Sequence, residues 1–292
     1  MNTYVWLIRR EFWENRAIWI IPAVIACALM IAALFGRVEV AALDSPDQNR
    51  AMAGMALFAF GIIFFLAMMI YSTWYLLDCL YADRKDRSVL FWKSLPISDT
   101  ATVLAKLFTG LIAIPIVYFA AADLSTLLMA FIISLRAHSS FGSALWQPDL
   151  WLQLQALWLY VIASTAIWYL PLAGWLVLIS AWAKRAVMLW SIMPPLAAVL
   201  AERLFLGSHA VENLLKDRLG GYVAVAFHHL SQRAGWVTTP LGGGDSITTP
   251  ISVWRLLNPT GFFSSSATWI GVLVGAALIC GAVQLRLRRT DS

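Results

Sequence analysis

An all-α polytopic membrane protein with six transmembrane helices is the fold this sequence predicts, on three observations. The first is composition. Of 292 residues, 61% are hydrophobic and 13% charged, with a mean hydropathy of +0.74, whereas soluble domains carry about 25% charged residues. The second is run length: the apolar stretches exceed about 18 residues without strict alternation, while barrel strands are alternating segments of about 10 residues. Helices also satisfy their own backbone, as lipid demands. The third is the distribution of basic residues. The N-terminal segment, the second-to-third connection, the fourth-to-fifth turn and the tail together hold 13 Lys and Arg, against Arg37, Arg50 and Arg136 in the other short loops. The positive side faces the cytoplasm, so both termini are expected there.

The chain is expected to form a single transmembrane domain. Residues 2–16 mix Val5, Ile8 and Phe12, which share a helical face, with Trp6, Trp13 and five charged residues. This pattern suits an interfacial helix, and an ordinary juxtamembrane stub equally. The first span covers 17–35. The apolar run has no small-residue cleavage motif, so this span is expected to be retained. A loop with Asp44, Pro46 and Asp47 leads to the second span, 52–80. The third, 103–135, is long enough to project beyond a hydrocarbon core of about 30 Å, with Pro115 expected to kink it.

The fourth span, 150–183, contains Pro171, and Trp168, Trp175 and Trp182 repeat along it every seven residues. That stripe suits packing or lipid contact, and a substrate-stacking wall is the functional alternative. The fifth span, 186–205, carries Pro194-Pro195. Each proline lacks an N–H and crowds the preceding turn, so a short, bent or partly re-entrant element is expected. An extracytoplasmic insert follows at 206–266. It contains two short helical stretches, Ser208 to Leu219 and Tyr222 to Arg233, and a Gly- and Thr-rich flexible loop from Gly235 to Pro250. The last span covers 267–285.

The chemistry-bearing motifs are few. The triple glycine 242–244 continues into Asp245-Ser246 without the lysine that reaches phosphates, and no other nucleotide loop is present. If ATP drives this protein, another chain binds it. Zinc-protease and nucleophile-elbow motifs are missing too, so no catalytic residues and no metal site are expected. His228-His229 point about 100° apart on a helix, which is poor geometry for one metal. Cys27, Cys79 and Cys280 lie in or beside spans and read as small core residues. The net charge of +5 fits topology and anionic headgroups rather than nucleic acid, since no basic stripe extends into a soluble domain. Among ionisable groups inside spans, Asp123 is the candidate for a polar station on a translocation path, while Asp78 and Glu202 can reach an interface.

The densest polar cluster is the cytoplasmic segment 81–98. Asp83 to Arg87 can start a short helix in which Val89, Trp92 and Pro96 lie near one face and Arg84, Lys85, Arg87 and Lys93 supply charge. Leu95-Pro96 ends it. Such a helix can lay its apolar face into a partner's groove; a loop that merely fixes topology is the alternative.

Asp83-Arg84, then Ser88, then Ser94-Leu95-Pro96-Ile97-Ser98 resembles the coupling-helix pattern of the permease subunits of type-2 ABC exporters, and the order of elements is similar over most of the chain. The resemblance implies a bacterial inner-membrane permease, non-enzymatic by itself. It would act as a dimer with a second permease copy and with cytoplasmic ABC ATPase subunits that hold ATP and Mg. It implies that Asp83, Arg84, Arg87, Trp92 and Leu95 contact the ATPase, and that Pro194-Pro195 with the following segment form a re-entrant outer gate. The insert departs from the family's minimal hairpin. Hydrophobic or amphipathic cargo is the expectation. An ion-driven secondary transporter would need two halves with matching broken helices, and no such repeat is found. An integral-membrane enzyme would need convergent acids or histidines that cannot be assembled here.

Overall fold

The computed structural model describes residues 3–36, 46–85, 98–136, 140–227, 236–240, 246–250, 254 and 256–288. Six helical stretches among them are long and apolar enough to cross a membrane: Ala17–Phe35, Met52–Lys85, Asp99–Arg136, Pro148–Trp168, Val187–Leu206 and Ser266–Arg288. In chain order the helices are α1 (Thr3–Glu14), α2 (Ala17–Phe35), α3 (Pro46–Lys85), α4 (Asp99–Phe108), α5 (Ile114–Arg136), α6 (Ser140–Ala144), α7 (Pro148–Trp168), α8 (Leu170–Trp182), α9 (Val187–Ala201), α10 (Ala210–Gly220), α11 (Tyr222–Ala226), α12 (Pro259–Ser264) and α13 (Ser266–Arg288). One core cluster joins α3, α4, α5, α8 and α13 through Met68, Tyr75, Val103, Tyr118, Val177 and Ile279. A second, around Leu57, Phe64, Ala130 and Trp158, joins the other half of α3 to α5 and α7.

Pro115 and Pro194-Pro195 are absorbed within their spans, whereas the fourth span, expected as one stretch at 150–183, is divided at Tyr169 into α7 and α8. Pro115 cannot donate to the preceding turn and crowds it. The backbone answers with a π-helical turn, Thr109–Ala113, which joins α4 to α5 in one continuous stretch. Pro171 sits in the first turn of α8, where a missing N–H costs nothing, and the non-helical Tyr169 separates α8 from α7.

Pro194 and Pro195, expected to interrupt the fifth span, lie inside an unbroken α9 that continues through a π turn to Leu206. Pro195 deprives the Ser191 carbonyl of its helical partner. The Trp175 indole of α8 donates to that carbonyl at 3.0 Å, so the helix crosses the proline without leaving it bare.

The insert is more regular than its composition suggests. Trp236–Pro240 (β1) and Ser246–Pro250 (β2) pair antiparallel, with Thr238 opposite Thr248. The β-branched content of both segments favours a ribbon over the flexible loop expected there. Glu202, at the end of α9, binds the start of α10. Its carboxylate accepts from the backbone of Ala210 at 2.7 Å and Val211 at 2.8 Å, and from Ser208 Oγ. A carboxylate at a helix N-terminus satisfies orphan N–H groups and meets the positive end of the dipole.

The backbones of α8 and α13 approach closely where the two helices cross. A Cβ on Gly174 would lie 2.9 Å from the Gly275 carbonyl oxygen, and one on Gly275 would lie 2.9 Å from the backbone of Leu170 and Pro171. Small residues let backbones touch where no hydrophobic force drives helices together in lipid. Gly174→Val or Gly275→Val is therefore expected to lower stability by about 1–3 kcal/mol, whereas Gly54→Ala, whose added Cβ meets a side chain at 3.7 Å, is expected to be neutral. Thermal unfolding of the detergent-solubilised variants measures both.

Candidate functional site

At one end of the bundle, α1, the end of α3, the start of α4 and the end of α13 converge on a cluster of charged side chains. Their own elements place them there. On α1, Leu7 and Glu11 are four residues apart and share the buried face, and Leu7 packs on Ala101 and Ala105 of α4. On α4, Ser98 caps the helix by accepting from the Ala101 N–H at 3.1 Å, which sets Asp99 in the first turn. Two turns further in is Lys106, only 2% exposed.

The Lys106 ammonium lies 3.0 Å from Glu11 Oε1 and 3.2 Å from Asp83 Oδ1. Arg10 reaches the same Asp83 oxygen at 3.4 Å and Glu11 at 3.8 Å. Arg286, in the last turn of α13, lies 3.6 Å from Asp83 Oδ2 and donates from Nε to Asp99 Oδ1 at 2.8 Å. The Tyr75 hydroxyl donates to Glu11 Oε2 at 2.7 Å. Among the described residues, the carboxylates of Glu11, Glu14, Asp83 and Asp99 thus face the cations Arg10, Lys106 and Arg286. Burial by itself pulls the Arg10 guanidinium down, but the Glu14 hydrogen bond and the charges of Glu14, Glu11 and Asp83 hold it above its ordinary value.

The adjacent Arg84 does a different task. Its guanidinium donates to the carbonyls of Ser180 and of Ala183, the latter at 2.8 Å, closing the C-terminal end of α8. Carbonyls at a helix end need such donors, and a cation there also meets the negative end of the dipole. Ser180 Oγ in turn accepts from the backbone N–H groups of Leu80 and Tyr81 at 3.0 and 3.1 Å.

Asp83 and Arg84, expected from the sequence to meet a partner chain, are thus turned into the protein. Asp83 is 6% exposed. Arg87, Val89, Trp92, Leu95 and Pro96 lie outside the described residues, as do His228 and His229. Asp123 is half-buried on α5 and accepts a hydrogen bond from Gln155 Nε2 of α7. Tyr169 interrupts the helix within the tryptophan stripe, and the three indoles make separate contacts. Trp168 donates to the Arg218 carbonyl at 2.9 Å and stacks under that residue's guanidinium; Trp175 serves Ser191; Trp182 meets Trp190 edge-on at 4.9 Å.

Glu11, Tyr75, Asp99, Lys106 and Arg286 were not singled out by sequence reasoning. Two carried a signal. Lys106 interrupts an apolar run soon after its start, and Glu11 falls on the face of α1 that Leu7 marks as buried. Comparison with protein-family models, with curated proteins and with solved structures finds no match for this chain.

Removing one member of a buried ion cluster strands its partners. Lys106→Met, which leaves Glu11 and Asp83 facing each other, is expected to cost about 3–5 kcal/mol. Adding Glu11→Gln to it is expected to recover part of that loss. A double-mutant cycle on detergent-solubilised protein reads the coupling.

Proposed function

We propose that this chain is the membrane-spanning permease subunit of an ATP-driven ABC transporter. It would export hydrophobic or amphipathic cargo from the bacterial cytoplasm, working as a homodimer with a separate ATPase that binds ATP and Mg. The charge-cluster end of the bundle, where the basic residues concentrate, is the cytoplasmic end in this reading, and both termini lie there.

One observation carries the reading. Segment 86–97 lies in the sequence between Asp83-Arg84 and Ser98-Asp99, and the single guanidinium of Arg286 touches both Asp83 and Asp99. A force on the segment would therefore reach α3, α4 and α13 together, and α1 through Lys106 and Glu11. A loop that only fixed topology would not need its two ends clamped to four helices. The pattern Asp83-Arg84, Ser88, Ser94-Leu95-Pro96-Ile97-Ser98 adds the resemblance to a coupling helix. Asp83 and Arg84 become the anchors of that helix, while Arg87, Val89, Trp92, Leu95 and Pro96 supply its docking face. The Asp123–Gln155 pair is the polar station of the path in this scheme, and the end of α9 beyond Pro194 and Pro195 lies at its outer mouth.

Anchors and docking face can be separated by experiment. Trp92→Glu with Leu95→Glu is expected to lower recovery of an ATP-hydrolysing subunit co-purified with the tagged chain by roughly tenfold or more, a loss of about 1.4 kcal/mol or greater. Arg286→Met is expected to keep the subunit bound while abolishing the effect of the membrane chain on its ATPase rate. Unchanged association and unchanged coupled hydrolysis in the Trp92/Leu95 variant would rule out this interface.

A further inference from the structure

Arg218, near the C-terminal end of α10, holds its half-buried guanidinium in a seat made by two other helices. The Trp168 indole of α7 lies against one face, with its ring centroid 4.6 Å from Cζ. The same indole donates from Nε1 to the Arg218 carbonyl at 2.9 Å, so one ring fixes both the backbone and the side chain. Gly271 of α13 forms the other side. A Cβ there would lie 1.1 Å from Nη2 and 2.9 Å from Nη1, so the guanidinium fills the space that a side chain on α13 would take.

The seat supplies no acceptor. Among the described residues no carboxylate lies within ion-pair distance of Arg218, the adjacent Asp217 included, and none of the guanidinium N–H groups donates to the protein. The other cations of this segment, Arg203 and Lys216, are both taken by Glu212. Burial pulls the Arg218 guanidinium below its ordinary value, and no carboxylate restores it as Glu14, Glu11 and Asp83 do for Arg10. A partly desolvated cation of this kind is incomplete without an anion.

We infer that Arg218 seats the phosphate of a phospholipid from the leaflet at this end of the bundle. Chemistry is the first reason. The planar fork of an arginine matches phosphate oxygens in pairs, and stacking on an indole fixes the plane of the fork in advance. Position is the second. Gly271 lies about 8 Å from the start of α13 at a rise of 1.5 Å per residue, while Arg286 joins the charge cluster in the last turn of the same membrane-crossing helix. Arg218 therefore stands near the membrane boundary opposite that cluster, where headgroups lie. The surrounding surface is the third. Leu214 precedes Arg218 by one turn of α10, Val274 follows Gly271 by one turn of α13, and both are exposed. Apolar surface beside the cation suits a phosphate that carries acyl chains rather than a free anion.

The test uses the full chain, delipidated in detergent and titrated with phosphatidylglycerol or with diacylglycerol of the same acyl chains, with bound lipid counted by native mass spectrometry. The wild type is expected to bind phosphatidylglycerol about tenfold more tightly than diacylglycerol, the size of one charge-assisted contact. Arg218→Gln is expected to abolish that difference. Gly271→Ala keeps the charge but places a methyl group where Nη2 lies, and is expected to remove most of the difference. The displaced atom is the tip of a flexible side chain, so this variant is expected to fold, which thermal unfolding of both variants checks. Arg203→Gln, whose cation is already paired with Glu212, is expected to behave as wild type. Equal binding of the two lipids by the wild type, or a difference unchanged in Arg218→Gln or in Gly271→Ala, would overturn the assignment. So would an equal loss in Arg203→Gln, which would make the effect one of general surface charge. Displacement of the lipid by millimolar inorganic phosphate would overturn it as well, because the occupant would then be a free anion.

Discussion

Lys106 is a full positive charge on a helix whose neighbours are apolar, and it is tolerable only because Glu11 and Asp83 meet it within 3.2 Å. Ions in a low-dielectric interior must be paired and hydrogen-bonded, or their desolvation exceeds anything packing returns. That requirement fixes much else. It holds α1 against α4. It turns Asp83 inward at the end of α3. Arg286 pairs with both Asp83 and Asp99, which brings the last turn of α13 to the first turn of α4.

Beyond the cluster, close backbone approach and shared donors hold the helices. Gly174 and Gly275 let α8 and α13 touch. The Trp175 indole and the Arg84 guanidinium supply donors to carbonyls that their own helices leave bare at Ser191 and Ala183. Both acceptors lie on or beside the turn between α8 and α9, so that turn is held from two sides. Ala186 in this turn adopts a left-handed conformation at φ +51°, which a residue with a Cβ takes only under such constraint. The end of the bundle where α3 ends and α4 begins is thereby a connected unit.

The spans were legible because hydrophobicity and length are properties of contiguous sequence. The run from Ala17 to Phe35 ends where the helix ends, and the third span needed only small extension at each side. The prolines were legible as disturbances but not in their outcome. Whether Pro194-Pro195 breaks a helix depends on whether a donor from elsewhere reaches the freed carbonyl, and Trp175 comes from the preceding helix, 16 residues away. The charge cluster was the least legible part. Arg286 and Asp99 are separated by 187 residues, and nothing local to either marks the other as its partner. Asp83 and Arg84 were picked out as a pair, yet their directions came from tertiary neighbours: one is drawn to Lys106, the other to the end of α8.

By itself the sequence determined the solvent, the number of spans and the position of a charged segment between the second and third. Those follow from transfer free energies summed over consecutive residues, which need no knowledge of contacts. Only the tertiary structure decided which charges are interior. Burial of an ion depends on the counter-charges brought to it by other helices, and the choice between a displayed Asp83 and a clamped one was made by Lys106, Arg10 and Arg286 together.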